Sequence, residues 1–182
     1  VVKSEGKAKY ALGSVLGHVL MHQTINGNEA ILQMEQAGDY PDIIVGCTGG
    51  GSNLAGLMFP FLGQQLRGGQ KIDIIGCEPL SCPSFTKGKY AYDHGDMARM
   101  TPLIKMHTLG SDFLPPANHS GGLRYHGMSY HLSHLYDLGL MRAKAYGQKD
   151  CFEAGVIFGK QEGIIPAPEG NHAVKGAIDA AL

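Results

Sequence analysis

The sequence predicts an α/β protein: a twisted parallel sheet flanked by helices. Two continuous apolar runs, residues 42–47 and 71–77, read as buried strands, because a strand covered on one face only would alternate apolar and polar residues. Between them three glycines, 49–51, open onto an apolar stretch at 54–66 of helical length. Strand, loop, helix and strand in that order make a βαβ unit, the building block of parallel sheets.

The remaining elements follow in chain order. Residues 7–21 predict a helix, with Leu12, Val15, Leu16, Val19 and Leu20 at helical spacing. A break is expected at His22-Gln23-Thr24, then a second helix over 28–37 that stops at Gly38. After the βαβ unit, residues 80–127 are rich in Gly, Pro, His and Ser and read as a long, partly ordered loop. Residues 128–139 suggest a helix, 142–145 a short strand and 150–162 another helix. Ile164 and Ile165 lead through Pro166-Ala167-Pro168-Glu169 into a last helix from Asn171.

Composition narrows the function classes. A net charge of -1 leaves no large basic surface, so nucleic acid is not an expected partner. No apolar run is long enough to span a bilayer, and residues 1–9 do not resemble a signal peptide, which points to a cytoplasmic protein. Cys47, Cys77, Cys82 and Cys151 form no CxxC pair, so neither a disulfide framework nor a cysteine metal site is expected. The chain starts without methionine and ends in an apolar, helix-like stretch. Both ends read as cuts in a longer polypeptide.

The most chemically informative segment is Gly49-Gly50-Gly51-Ser52-Asn53, between a buried strand and a helix. Consecutive glycines let the backbone approach a ligand closely and turn its N–H groups onto an anion, where the helix dipole adds to the attraction. Ser52 adds a hydroxyl, and Ser52 or Asn53 can cap the helix. The segment is not GxGxxG, and no lysine follows as in a P-loop, so a single compact phosphate fits better than a dinucleotide or ATP. A turn whose glycines serve packing alone is the alternative. Among the histidines, His18 and His22 stand four apart, and His126, His131 and His134 cluster with Tyr125 and Tyr130. Neither group brings the thiol or carboxylate partners that zinc sites usually have, so both read as packing residues.

The string 46–53, GCTGGGSN, resembles the phosphate loop of fold-type II pyridoxal-phosphate enzymes, and the tryptophan synthase β family in particular. Three more segments agree in order. Tyr10-Ala11-Leu12-Gly13-Ser14 with His22-Gln23-Thr24 precedes the loop. Gly110-Ser111-Asp112-Phe113 and Gly121-Gly122-Leu123-Arg124-Tyr125-His126 follow it, the latter similar to the divergent second type of β chain. Gly163-Ile164-Ile165-Pro166-Ala167-Pro168-Glu169, then His172, resembles the late motif of the family.

The resemblance implies pyridoxal 5'-phosphate as cofactor, its phosphate held by Gly49, Gly50, Gly51, Ser52 and Asn53, with Ser14 nearby. It places Glu169 beside the cofactor ring and Asp112 in a mobile segment near the substrate, as the two catalytic residues. It implies a β-replacement that joins L-serine and indole into L-tryptophan, a homodimer, and a tryptophan synthase α subunit as partner. By the residues alone, Asp112 would cap a turn and Glu169 would be a first-turn acid favoured by the helix dipole. Arg124 would pair either a substrate carboxylate or a surface acid.

Departures from the family pattern go with it. No lysine here sits in a motif matching the one that holds the cofactor, so residues 1–182 are expected to be the C-terminal portion of an enzyme whose lysine-bearing part precedes them. The amino-terminal carboxylate that assists indole and the late Ser-Gly-x-Gly segment are also missing, and Gly170 stands where the family carries a small hydroxyl residue. The chain alone is then expected to be inactive. Two rivals remain: a serine or threonine dehydratase or threonine synthase relative, which would share the glycine loop, and a non-catalytic module that binds a phosphate ligand.

Overall fold

The computed structural model describes residues 4–9, 11 and 13–182. Three strands form a parallel sheet in the order β1-β2-β5: β1 (Ile43–Cys47), β2 (Asp73–Pro79) and β5 (Arg142–Tyr146). Cys47 pairs with Cys77 and Ile75 with Arg142, so the carboxyl ends of β1 and β2 lie side by side. Helices cover both faces, which is why the strand runs are continuously apolar. On β1, Ile44 and Gly46 face α2 (Ser52–Leu66), while Val45 meets Gly176 of α5 (Gly170–Ala181). Leu20, Leu54, Met58, Ile74, Met128 and Leu132 fill the core on the α2 side. Ile75, Cys77, Tyr146 and Cys151 of α4 (Gln148–Glu162) make a smaller cluster.

Two expectations are corrected. The first concerns α1, which runs unbroken from Gly17 to Ala37 rather than as two helices divided at 22–24. Thr24 keeps the helical path, its hydroxyl donating to the Met21 carbonyl at 2.6 Å, a bond compatible with a helix interior. Gln23 and Gly27 are where α1 crosses α2. A Cβ on Gly56 would come 2.5 Å from the Gln23 carbonyl oxygen, and one on Gly27 would strike the Leu57 carbonyl. Pro60 has no N–H to occupy the Gly56 carbonyl, which faces Gly27 instead. The helix also starts later than residue 7. Residues 13–16 are not helical, with Val15 at φ 60. Leu12 of that expected helix, and Tyr10 of the neighbouring motif, lie outside the described residues.

The second correction concerns residues 80–127, which are not mainly loop. An antiparallel hairpin, β3 (Lys89–His94) with β4 (Leu103–Thr108), pairs along its whole length. Its inner end is buried. His107 stacks on Tyr90 at a ring separation of 4.8 Å and donates its backbone N–H to Ser133 Oγ of α3 (Tyr130–Asp137). Residues 126–128 run beside β4, through Leu109 N–H to the His126 carbonyl and Met128 N–H to the His107 carbonyl. That placement delivers Ser129 to the end of the parallel sheet.

Candidate functional site

The carboxyl end of an open parallel sheet is the usual ligand site of α/β folds, and here β1 ends in the glycine loop. Thr48 extends the ladder one step, its N–H donating to the Cys77 carbonyl at 2.8 Å. The chain then turns into α2 through Gly51, at φ 96, a left-handed conformation that suits glycine. Gly51 also has no room for a side chain, since a Cβ would lie 2.7 Å from Met128 Sδ and collide with Leu132. The Gly50 carbonyl accepts from Ser129 N–H at 3.0 Å, which fixes the orientation of that peptide.

The N–H groups of Gly49, Gly50, Gly51, Ser52 and Asn53 have no acceptor among the described residues. Gly49, Gly50, Gly51 and Ser52 are buried, where an unmade hydrogen bond costs about 1–3 kcal/mol. Thr48 adds a second orphan: its hydroxyl oxygen is buried and has no partner among the described residues. Converging free N–H groups at a helix amino terminus suit an anion, and the glycines leave space for a phosphate to approach the backbone. The residues present therefore fit the phosphate of pyridoxal phosphate.

Ser14 and Glu169 come to this loop from distant parts of the chain. Ser14 Oγ occupies the position a Cβ on Gly50 would need. Glu169 opens α5, and its Oε1 accepts from Gly122 N–H at 2.9 Å, within a short 3-10 turn at Gly121–Leu123. Gly122 in turn abuts the loop, because a Cβ on Gly49 would stand 2.7 Å from its carbonyl oxygen. Asn53 accepts from the Cys47 thiol through Oδ1 at 3.9 Å. Burial pushes that thiol up, so Cys47 stays protonated and is not a nucleophile at neutral pH. His172, buried behind Glu169, donates from Nδ1 to the Pro168 carbonyl at 3.0 Å, and burial lowers its pKa.

Asp112 is not gathered into this group. Its side chain is 73% exposed and paired with Arg99, and none of its contacts among the described residues reaches the glycine loop. Arg124 donates to the Pro115 carbonyl at 2.6 Å rather than to an acid. Among the described residues no three His, Cys, Asp or Glu side chains gather as a metal site. His126 is tied to the His94 carbonyl, and His131 packs on the Tyr130 ring.

Sequence reasoning missed two groups at the site, Thr48 and Gly122. Thr48 carries no signal beyond its place before the glycines. Gly122 lies in a quoted motif, but its partner is 47 residues away.

A cavity of about 700 Å³ adjoins the loop, lined by Val15, Leu16, Ile104, Met106, Tyr125 and Met128 among others. Val15 and Met128 also pack on Gly50 and Gly51, so two side chains separate cavity from loop. A larger cavity of about 850 Å³ lies between α2, the hairpin and α3, away from the glycines.

A family profile described as pyridoxal-phosphate dependent enzyme matches residues 18–182. The chain is 56% identical over 182 residues to tryptophan synthase beta chain 2 of Aquifex aeolicus, covering 98% of this chain and 42% of that protein. It is 54% identical to the tryptophan synthase beta chain of Thermosipho africanus, covering 100% of this chain and 43% of that one. The chain thus spans about two fifths of the length of these relatives. Its fold is similar to the crystal structure of a T.th. threonine deaminase, with a TM-score of 0.66 at 17% identity over 92% of this chain and 48% of that chain.

Proposed function

The chain belongs to the pyridoxal-phosphate dependent enzymes, and we propose that it is the C-terminal portion of a lyase that joins L-serine and indole into L-tryptophan by β-replacement. The observation that carries this reading is the glycine loop leading into α2, whose five N–H groups have no acceptor among the described residues, held beside Glu169 through Gly122. Relatives that share more than half of its residues bear the tryptophan synthase β name.

On this reading Gly49–Asn53 hold the cofactor phosphate by their N–H groups, Ser52 adds its hydroxyl, and Ser14 closes the loop from outside. When bound, the cofactor supplies an electron sink for the negative charge that develops at the substrate α-carbon. Glu169 sets a carboxylate beside the ring, where it tunes the charge and receives or holds a proton. Asp112 belongs to the segment that closes over serine, which accounts for its position outside the site here. The neighbouring cavity is walled mainly by apolar side chains, with His18, Asp96 and Thr101 also on its lining, and suits a flat, largely apolar nucleophile such as indole. A preceding segment supplies the amine that holds the cofactor. A homodimer, an α-subunit partner and a cytoplasmic location complete the proposal.

Product analysis of the full-length enzyme with serine and indole is the test. Tryptophan is expected. Pyruvate or 2-oxobutyrate from serine or threonine alone, with indole untouched, would instead support a dehydratase.

A further inference from the structure

Gly122 joins two parts of the proposed site through the two peptide groups that flank it. Its N–H donates to Glu169 Oε1, and its carbonyl lies against Gly49. Gly122 does not take a left-handed φ, so its missing side chain provides room rather than backbone freedom. A Cβ there would stand 3.2 Å from Glu169 Oε1 and 3.3 Å from its Cγ, tighter than an ordinary contact.

The turn that carries Gly122 is anchored from behind. Asn118 Oδ1 accepts from Ser120 N–H at 3.1 Å, while its Nδ2 donates to Ser81 Oγ just after β2 at 2.7 Å. His119 N–H donates to Gln148 Oε1 at the start of α4, and Leu123 N–H donates to the Ser120 carbonyl. Ser120 and Leu123 are buried. The Glu169 carboxylate, by contrast, makes no capping bond to its own helix. Among the described residues Gly122 N–H is the donor that fixes it.

We propose that Gly122 is a positioning residue: its peptide N–H aims the Glu169 carboxylate at the glycine loop, holding Oε1 and leaving Oε2 open to the site. The proposal rests on the reading that Glu169 acts beside the cofactor ring. A neutral backbone donor suits the task, because it orients the carboxylate without adding a counter-charge that would tie up the second oxygen. Anchoring at Ser81, Gln148 and the sheet end lets the turn hold this geometry.

The test uses the full-length holoenzyme, labelled with 15N-glycine. Glu169→Gln keeps an acceptor at the same oxygen and is expected to leave the Gly122 amide resonance nearly in place, whereas Glu169→Ala shifts it upfield. Gly122→Ala crowds the carboxylate. A misplacement near 1 Å can cost on the order of a hundredfold in rate, so a drop in kcat of roughly ten- to a hundredfold is expected, with KM for serine little changed. Glu169→Asp, shorter by one methylene, makes room for the added methyl. The pair is therefore expected to lose less than the product of the two single effects.

An unmoved Gly122 resonance in Glu169→Ala, or strictly multiplicative single effects, would overturn the proposal. The resonance needs no turnover, so it decides the proposal even if serine and indole give no tryptophan, a result that would sink the functional reading instead.

Discussion

Arg99 holds Asp112 by a 2.8 Å bond from Nη2 to Oδ2, bridging the connection between β3 and β4 and the segment that follows β4. Arg99 reaches it from a left-handed backbone conformation, φ 55. The turn beneath is tightly made: Asp96 Oδ1 accepts from Met100 N–H, Thr101 N–H and the Thr101 hydroxyl. The pair itself is largely exposed, so its contribution is about 0.2–1 kcal/mol. If Asp112 belongs to the segment that closes over serine, it must give up this partner. Arg99→Ala is therefore expected to lower the serine concentration for half-saturation by about two- to fivefold, within the range of such a pair. Asp112→Ala is expected to keep the resting cofactor absorption yet slow tryptophan formation. Steady-state kinetics at low and high salt check both. An Arg99→Ala enzyme with unchanged serine dependence would separate the ion pair from closure.

The glycine loop should bind an anion in this chain without turnover. Inorganic phosphate titrated into 15N-labelled protein is expected to shift the amides of Gly50, Gly51, Ser52 and Asn53 together. Gly51→Ala should abolish that response, because alanine is strained at φ 96 and its methyl collides with Leu132. The same substitution should destabilise the fold by about 1–3 kcal/mol, read from urea unfolding. Shifts spread evenly over surface amides would count against a built site.

How much of this was legible follows the locality of each signal. β1, the glycine loop, α2 and β2 were readable because strands buried on both faces leave continuous apolar runs. The hairpin escaped because its strands are half exposed. Tyr90, Tyr92, Lys105 and His107 alternate with other residues in no run long enough to stand out. The false break in α1 arose from His22-Gln23-Thr24, polar residues whose helical state is set by contact with α2. The proximity of Ser14 and Glu169 to the loop could be expected only from family resemblance, and that of Gly122 was missed, since each contact spans dozens of residues. Asp112 was readable as a loop residue. Its pairing with Arg99 depends on the hairpin that the sequence concealed.

The crossing of α1 and α2 offers a test of packing apart from the site. Gly27→Ala would push a methyl into the Leu57 carbonyl and to 2.8 Å from Pro60 Cδ, atoms that cannot rotate away. A loss of about 2–3 kcal/mol is expected by urea unfolding, at the upper end for overpacking by one methyl. Gly63→Ala serves as control, because the nearest atoms to its added methyl belong to the flexible Arg67 side chain at 3.4 Å. That substitution should be neutral or slightly stabilising, as alanine favours the helix by up to about 1 kcal/mol. Equal losses at both positions would mean that the helices do not cross at Gly27.

His107 gives the chain a built-in sensitivity to acid. Its ring lies among Phe85, Tyr90 and Tyr136, and its Nδ1 is buried without a hydrogen-bond partner among the described residues. Burial lowers its pKa from 6.5, an effect partly opposed by the Asp137 carboxylate. His131 and His172 are lowered by burial as well. Because the folded pKa is the lower one, the unfolded chain binds more protons in the interval between the two values. Stability is then greatest above pH 6.5 and falls as pH drops through that interval. Asp93 and Asp96, held below the usual carboxylate range, extend the loss to lower pH. His107→Phe removes one titrating ring and its orphaned nitrogen while keeping the aromatic packing. It should flatten the acid limb, making the variant's stability relative to the parent greater below pH 6.5 than at about pH 8. Urea midpoints measured from about pH 5 to pH 8 decide the matter, since a His107→Phe curve parallel to the parent's would mean that His107 does not carry the pH dependence.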